Sequence, residues 1–350
     1  MQLWAVELLR ADDHYRVGYR AAFRYPGDVP LRTLQVPAII TATSTDVLGA
    51  FLPRITEPAA GVQARVGGSM EENLSEAAAY FEQHPGSHVP PAPLTRPVAT
   101  RAWNTTVRHA HGFARVHLNL SGDGRPVLFI HEAAGASETL AALMDKLRAA
   151  SLNGRPVITL DLPGHGESDA LPDGVGFLEA CRSAIAAVLD AFATAPVDAV
   201  GINEGATVLA DFASQSENRL HALYLTGVRT LSAEQGEALA KRFAPVIESQ
   251  WHGGHLLEYW HVARNRTLFW PWYEQTEAAV IDGDPHMDTH ELHQRTLALM
   301  KSSPTLPRVA EAVFNYPLVG ALSQLSVPTH QAAAPLVAEM LEFFAGVTHD

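Results

Sequence analysis

The sequence predicts an α/β protein with a mostly parallel sheet flanked by helices. Three short apolar runs suited to buried strands carry this prediction, at 126–131 (PVLFIH), 156–162 (PVITLDL) and 197–202 (VDAVGI). Helical patterns lie between them, and strands that alternate with helices at this spacing favour right-handed parallel crossovers. With 350 residues and 47% hydrophobic content, the chain can bury one sizeable core and carry a cap.

The first predicted part of the chain, residues 1–84, has a strand and helix pattern of its own. Val36-Pro37 leads into a strand at 38–43, a second short strand follows near 62–66, and a helix covers 75–83. We therefore expect a strand–loop–strand–helix segment at the start of the chain.

Residues 85–101 predict a semi-rigid linker between this segment and the rest. The stretch 84–101 (HPGSHVPPAPLTRPVATR) holds five prolines and has few helical or sheet options. At about 3 Å per residue, a chain of this kind can cross a domain of this size.

The most informative motif lies within the predicted core, residues 102–230. Gly201-Ile202-Asn203-Glu204-Gly205 stands between the strand at 197–202 and a helix at 206–214. In such a turn the central residue is strained, and the two glycines leave room for the neighbouring strand and helix. Asn203 tolerates a positive φ better than most residues do, but its amide is a poor nucleophile.

Three motifs in this order resemble the α/β-hydrolase superfamily. They are the strand that ends at His131, the segment 161–169 (DLPGHGESD), and the turn at 201–205. The resemblance implies an α/β-hydrolase fold with a helical cap and a nucleophile at position 203. It also implies an oxyanion hole formed by the backbone N–H groups of residue 204 and of the loop after His131. His131 is typical of that loop in the family, so we expect it at the substrate site in a structural role.

The chain departs from the family pattern at this site. Asn203 replaces the nucleophile, Glu132 stands where the family has the glycine of His-Gly, and Glu204 follows the nucleophile position. These three residues are candidate catalytic residues. Two ionised carboxylates would oppose ester hydrolysis, whereas a carboxyl protonated through desolvation could act as a general acid. The alternative is that one or both carboxylates point into solvent or cap a helix N-terminus.

An internal repeat relates the two ends of the chain. Residues 21–26 (AAFRYP) pair with 312–317 (AVFNYP), and four further positions of the first copy match the second at the same offset of 291: Leu31, Leu34, Val36 and Pro37. The first copy resembles the last two strands and terminal helix of an α/β hydrolase. The second copy, in residues 307–350, is truncated and closes with a helix at 336–344.

Because the first copy resembles the end of the fold, the sequence predicts a permuted fold in which residues 1–84 supply the last strands. The helix before the strand is also duplicated, so one copy is redundant within a monomer. Strand exchange with a second chain in a homodimer is the alternative.

The repeat also provides candidates for an acid and a base. Asp46 follows the first-copy strand, where the family's triad acid commonly sits, and a turn-capping role is the alternative. The family's histidine position, just before the terminal helix, reads GGSM at 67–70 in the first copy and so lacks a histidine. In the second copy His330 precedes the helix and is the candidate base.

Residues 231–306 predict a helical, aromatic-rich cap. The stretch 251–273 contains four of the six tryptophans, which implies a substrate with apolar or aromatic surface. The candidate substrate-binding residues are Trp260, Trp270 and Trp272, with a role in the cap core as the alternative. Three histidines could share a helical face (His286, His290 and His293), but turn-type residues among them disfavour a metal site. We expect neither a metal ion nor an organic cofactor.

Composition excludes several classes of partner. A formal net charge of −13 disfavours nucleic acid and anionic membranes. No apolar run reaches the length of about 18 residues that a membrane span needs, and the first residues lack the pattern of a signal peptide. The single cysteine, Cys181, excludes an internal disulfide and fits a cytoplasmic protein.

Three functional hypotheses follow. The first is an enzyme that acts on a small apolar or aromatic ester, amide or ketone at an atypical site. The second is a catalytically silent subunit that pairs with an intact α/β-hydrolase paralogue. The third is a small-ligand-binding protein that kept the pocket and lost the chemistry, and fold alone cannot choose among the three.

Overall fold

The structure is a computed structural model that falls into two compact units. It describes residues 2–11, 14–86, 102–120, 122, 124–149, 155–281, 288–333 and 337–347. The larger unit comprises residues 1–10 and 97–350, and the smaller unit comprises residues 11–96.

The described residues form nine strands and thirteen α-helices, numbered in chain order. The strands are β1 (Ala38–Ala42), β2 (Val62–Val66), β3 (Ala102–His109), β4 (Gly112–Asn119), β5 (Val127–Ile130), β6 (Val157–Leu160), β7 (Val197–Gly201), β8 (Leu220–Thr226) and β9 (Thr329–Ala332). The helices are α1 (Gln2–Ala11), α2 (His14–Arg24), α3 (Asp28–Thr33), α4 (Met70–Gln83), α5 (Ala141–Ala149), α6 (Phe177–Phe192), α7 (Glu204–Ser216), α8 (Ala233–Arg242), α9 (Gly254–Leu268), α10 (Thr289–Ser302), α11 (Leu306–Phe314), α12 (Leu318–Leu322) and α13 (Val337–Gly346).

The larger unit has a seven-stranded sheet in the order β3-β4-β6-β5-β7-β8-β9. The β3-β4 and β4-β6 pairs are antiparallel, and the remaining pairs from β6 to β9 are parallel. The prediction of a mostly parallel sheet flanked by helices is confirmed. The three apolar runs form β5, β6 and β7, which lie together at the centre of the sheet.

Two hydrophobic cores cover the two faces of this sheet. Successive residues of β5 alternate between them: Leu128 and Ile130 belong to one core, and Val127 and Phe129 belong to the other. Helix α6 packs on the first core through a row of residues at helical spacing, namely Phe177, Ala180, Cys181, Ala184, Ile185, Val188 and Leu189. Because both faces are covered, β5 and β7 are buried along their whole length.

The smaller unit contains a parallel pair of strands, β1 and β2, with Ala38 opposite Val62. Helix α4 follows β2 and begins with a capping box in which Ser69 and Glu72 satisfy each other's backbone N–H groups. This helix starts at Met70, five residues before the predicted start, because the capping box fixes its first turn. These elements occur in the predicted order of strand, strand and helix.

The two copies of the repeat form the same elements at the offset of 291. Strand β1 begins at residue 38 and β9 begins at residue 329, and helix α11 corresponds to residues within α2. Their burial differs sharply. Phe23 on α2 is 78% exposed, whereas its counterpart Phe314 on α11 is 8% exposed and packs against α8 and the ring of Phe243.

The structure does not show the predicted permutation. Strands β1 and β2 pair with each other in a sheet of their own, and the last strand of the seven-stranded sheet is β9, from the second copy. The second copy can fill this position because it retains one strand, which pairs in parallel with β8.

No described helix is both long enough and apolar enough to span a bilayer.

Candidate functional site

The turn between β7 and α7 is strained at its central residue. Asn203 has φ 49° and ψ −115°, and Glu57 is the other non-glycine residue with a positive φ in the described part of the chain. A Cβ atom on Gly205 would lie 2.6 Å from the carbonyl oxygen of Ile130, and one on Gly201 would lie 2.8 Å from the nitrogen of Ala206. Both positions therefore require glycine, and the turn has the strand–turn–helix geometry of a nucleophile elbow.

The turn exposes Asn203 between buried neighbours on both sides. Its backbone N–H donates to the hydroxyl of Thr226 at the end of β8, at 3.3 Å. Residue 203 is thus held at the C-terminal edge of the sheet, where ligands bind in open α/β sheets.

The buried carboxylate of Glu204 uses a backbone donor that matters for hydrolysis. The N–H of Ala133, in the loop after β5, donates to Oε2 of Glu204 at 3.1 Å. In an α/β hydrolase, an N–H of this loop and the N–H of the residue after the nucleophile stabilise the oxyanion. Here a carboxylate of the chain itself takes the loop donor, so this N–H is not available to a reacting carbonyl.

Arginines pair with both glutamates that the sequence places beside the turn. Nη2 of Arg266 lies 4.0 Å from Oε2 of Glu204, and Nη1 of Arg295 donates to Oε1 of Glu132 at 2.9 Å. Neither carboxylate points into solvent, since their side chains are 8% and 10% exposed. The pairing offsets part of the free energy that burying these charges costs.

The two carboxyl groups have pKa values shifted in opposite directions. Burial acts to raise the pKa of Glu132, but Arg295 and further donors outweigh this effect and hold the pKa below its usual value. Burial raises the pKa of Glu204 above its usual value, although Arg266 and the N–H of Ala133 lower it in part. Glu132 is therefore the more acidic of the two groups.

A cavity of about 380 Å³ lies at the turn, beside a smaller recess of about 60 Å³. Both are lined by Asn203, Glu204, Gly227, Arg229 and Trp270. The recess adds five side chains, from Phe243, Arg266, Phe269, Trp272 and Ile281. The guanidinium groups lie on aromatic faces: Cζ of Arg229 is 4.3 Å from the ring centroid of Trp270, and Cζ of Arg266 is 4.5 Å from that of Phe243.

His131 is buried beside this site and connects two loops. The N–H of Leu162 donates to its Nε2 at 3.1 Å, so Nδ1 carries the proton and donates to the carbonyl oxygen of Glu132 at 2.8 Å. Both ring nitrogens are engaged in these contacts, which is a structural arrangement.

The structure does not bring His330 to Asn203. In the sheet, His330 lies opposite Tyr224, and Tyr224 lies opposite Val200. Val200 is three residues before Asn203, which is about 10 Å along the strand direction. His330 is therefore level with Val200 and not with the turn. Its ring stacks on Tyr224, and Nε2 lies 2.5 Å from Oε1 of Glu339 on α13. Position 330 lies within β9 and not on a loop at the end of the sheet.

The other predicted site residues divide between the cavity and other places. Trp270 and Trp272 line the recess, and Trp260 on α9 lies outside its lining. Asp46 belongs to the smaller unit, where its Oδ1 accepts from the N–H of Leu48 at 2.8 Å in a turn. In the described part of the chain no group of three or more His, Cys, Asp or Glu side chains could hold a metal ion, and His286 lies outside that part.

Three arginines of the site are not identified by sequence reasoning. Arg229 follows β8, Arg266 lies near the end of α9, and Arg295 lies on α10. A buried carboxylate predicts a cationic partner, but nothing in the spacing tells which of many arginines folds back to it. The only available indication is the burial of Glu132 and Glu204 itself, which requires that cationic side chains lie nearby.

These features are those of the α/β-hydrolase fold: the parallel sheet, the strained turn after β7 and the donor loop after β5. No protein-family model and no curated protein matches the chain. Solved structures are similar at low identity. An esterase from Exiguobacterium antarcticum is 17% identical over 68% of this chain and 86% of its own (TM-score 0.49), and an esterase from Rhodococcus sp. ECU1013 is 18% identical over 70% and 100% (TM-score 0.49). A bromoperoxidase from Bacillus anthracis is 15% identical over 65% and 80% (TM-score 0.47).

The Glu132–Arg295 pair predicts a pH-dependent contribution to stability. Because the pKa of Glu132 is lowered on folding, its stabilising effect is present above the unfolded value of 4.5 and is lost as pH falls through the folded value. We expect Glu132→Gln to lower the free energy of unfolding at pH 7 by about 1–2 kcal/mol. The effect is limited to this size because Arg295 is partly exposed and solvent weakens the ion pair.

Urea unfolding at pH 7 and at several values below 4.5 measures this effect. The difference between wild type and Glu132→Gln should shrink as pH falls. The control is Glu234→Gln, at an exposed position in the first turn of α8, which should change stability little at any pH. A difference that stays constant from pH 7 downward would contradict the assignment.

Proposed function

We propose that the cavity at the turn binds a small, partly aromatic molecule without forming a covalent intermediate on residue 203. The observation that carries this proposal is the hydrogen bond from the N–H of Ala133 to the carboxylate of Glu204. That carboxylate takes a donor of the oxyanion hole and adds negative charge where hydrolysis would develop it. The strained turn is therefore retained without the electrostatics that a covalent hydrolase requires.

Two further features support binding without covalent catalysis. Asn203 presents an amide, which is not a nucleophile of covalent catalysis. Over the described residues, no histidine lines the cavity or its recess. A nucleophile also needs a base within hydrogen-bond reach, and His330 is held at Glu339 instead.

The cavity has the size and lining of a small-molecule site. Its volume of about 380 Å³ lies in the range of typical ligand pockets. Trp270, Trp272 and Phe243 provide apolar and aromatic surface, and Asn203, Arg229 and Arg266 provide polar groups that can fix the orientation of a ligand.

An enzymatic role for Glu204 is a second candidate, favoured by its raised pKa. A carboxyl group that keeps its proton more readily than usual can act as a general acid on a small ester, amide or ketone. In this case wild-type protein would turn over such substrates, and Glu204→Gln would lose the activity. Such a result would replace the binding proposal by an acid-catalysed one.

We expect the Asn203→Ser variant to gain no hydrolase activity. A serine placed at this turn would lack both a lining histidine and the N–H of Ala133. The measurement is covalent labelling by a fluorophosphonate together with turnover of aryl and acyl esters. The matched control is Asn315→Ser, since Asn315 lines the same cavity away from the turn. Labelling of Asn203→Ser but not of Asn315→Ser would show that a working base and oxyanion hole persist.

A role as a subunit is a further candidate, and the exposed first copy of the repeat favours it. No residue of α2 is buried, and Tyr15, Tyr19 and Phe23 expose 41%, 52% and 78% of their surface at a helical spacing of four. Their counterparts on α11 are Leu306, Ala310 and Phe314, all of them buried in the larger unit. Three positions of the first copy are therefore exposed, although the equivalent positions of the second copy are buried.

Phe23→Asp tests association through this face. If two chains associate there, the wild-type solution mass should be twice the 37.8 kDa of one chain, and Phe23→Asp should reduce it to that of a monomer. Val246→Asp is the matched control because Val246 is 93% exposed in the larger unit. A wild-type monomer at all concentrations would exclude the homodimer and leave a paralogue as the partner to be sought.

A further inference from the structure

We infer that the recess at the turn recognises a monoanionic aryl carboxylate, with Arg266 and Arg229 as the residues that bind its carboxylate. This inference rests on the proposed binding function and deepens it by naming the class of ligand. It follows from three observations: a buried guanidinium nitrogen of Arg266 without a hydrogen-bond partner, an excess of positive charge and an aromatic lining.

Arg266 is positioned to receive an acceptor. Its side chain is 15% exposed, and its guanidinium lies over the ring of Phe243. Nη1 is buried and has no hydrogen-bond partner in the described part of the chain. A buried donor left unpaired costs free energy. The guanidinium that carries it lines the recess, so we infer that a ligand oxygen bound there pairs with Arg266.

The charges around the recess do not balance. Glu132 is engaged by Arg295, which leaves the carboxylate of Glu204 to offset both Arg266 and Arg229. Glu204 also accepts from Ala133, so its oxygens are shared between these groups. One positive charge among these side chains is therefore unneutralised, in a chain whose formal net charge is −13.

The balance and the size of the recess favour a carboxylate over a phosphate. A single excess charge matches a monoanion, whereas the second charge of a phosphate monoester would meet Glu204 without compensation. The recess of about 60 Å³ suits a planar carboxylate, which a guanidinium can bind with two parallel hydrogen bonds.

The aromatic lining accounts for the rest of the ligand. Trp270 and Trp272 border the recess, and Trp270 also lines the larger cavity. A ring attached to the carboxylate would lie against these side chains, where apolar burial and stacking contribute to affinity. The amide of Asn203, exposed at the turn, would face the same ligand.

Isothermal titration with phenylacetate and with the neutral phenylacetamide tests the inference. The two probes share shape and ring and differ in charge. We expect phenylacetate to bind the wild-type chain at least about tenfold more tightly than phenylacetamide, the difference that one charge-assisted hydrogen bond supplies. Arg229→Gln should weaken phenylacetate binding by about tenfold and leave phenylacetamide binding within about twofold.

Variants separate this role from a structural one. Arg266→Lys keeps the positive charge but loses the second nitrogen, so it should weaken phenylacetate binding while the protein stays folded by thermal melting. Arg264→Gln is the matched control, because Arg264 lies on the same helix and does not line the recess. It should leave the affinity unchanged.

The outcomes distinguish the inference from the proposed function beneath it. Equal affinity for the two probes, or unchanged affinity in Arg229→Gln, would overturn the anion site and leave a neutral aryl-binding pocket standing. Absence of binding by both probes at millimolar concentration would overturn the inference and count against the binding function as well.

Discussion

The strained turn at Asn203 is the constraint on which the rest of the site depends. Two glycines allow the turn to approach β5 and α7 so closely that a Cβ atom at either position would meet backbone atoms within 3 Å. This close approach directs residue 203 into the cavity and brings the carboxyl group of Glu204 to the N–H of Ala133. The backbone geometry of a nucleophile elbow is thus intact, and Asn203 and Glu204 are the side chains placed on it. A strained backbone persists only where its surroundings hold it, and here the central β5 and β7 strands do so.

Electrostatics at the turn follows from that geometry. Once Glu204 and Glu132 are buried beside each other, uncompensated charge would cost several kcal/mol, and arginines from α9 and α10 meet them. Arg229, placed after β8 against Trp270, adds positive charge and shares the carboxylate of Glu204 with Arg266. In a hydrolase, the N–H groups of the oxyanion hole stabilise the negative charge that develops during the reaction. In this chain the carboxylate of Glu204 accepts from one donor of that loop, and the anion site that we propose depends on the guanidinium groups.

The central strands, the turn and the loops that carry Glu132 and Glu204 could be predicted from sequence because each depends on local patterns. Continuous apolar runs mark β5, β6 and β7, and glycine spacing marks the turn. Long-range contacts could not be predicted in this way. The partners of the glutamates come from 62 and 163 residues further along the chain, and no periodicity encodes them. His330 has the family's order in sequence, but its place within β9 sets its ring on Tyr224. The repeat could be recognised as a sequence match. Which of the two copies joins the large sheet could not be predicted, because this depends on the long-range pairing of β9 with β8.

The central claim is that the carboxylate of Glu204 accepts the hydrogen bond from the N–H of Ala133, which would otherwise be an oxyanion-hole donor. The most direct measurement is the NMR chemical shift of the Ala133 amide proton as a function of pH, in wild type and in Glu204→Gln. An amide that donates to a carboxylate reports the protonation of that group, and the pKa of Glu204 is raised above its usual value of 4.5. The account predicts that the Ala133 resonance titrates with a midpoint above 4.5 in wild type and loses this titration in Glu204→Gln. An Ala133 resonance that does not titrate in the wild type would show that its N–H is free for a reacting carbonyl, and would contradict the account.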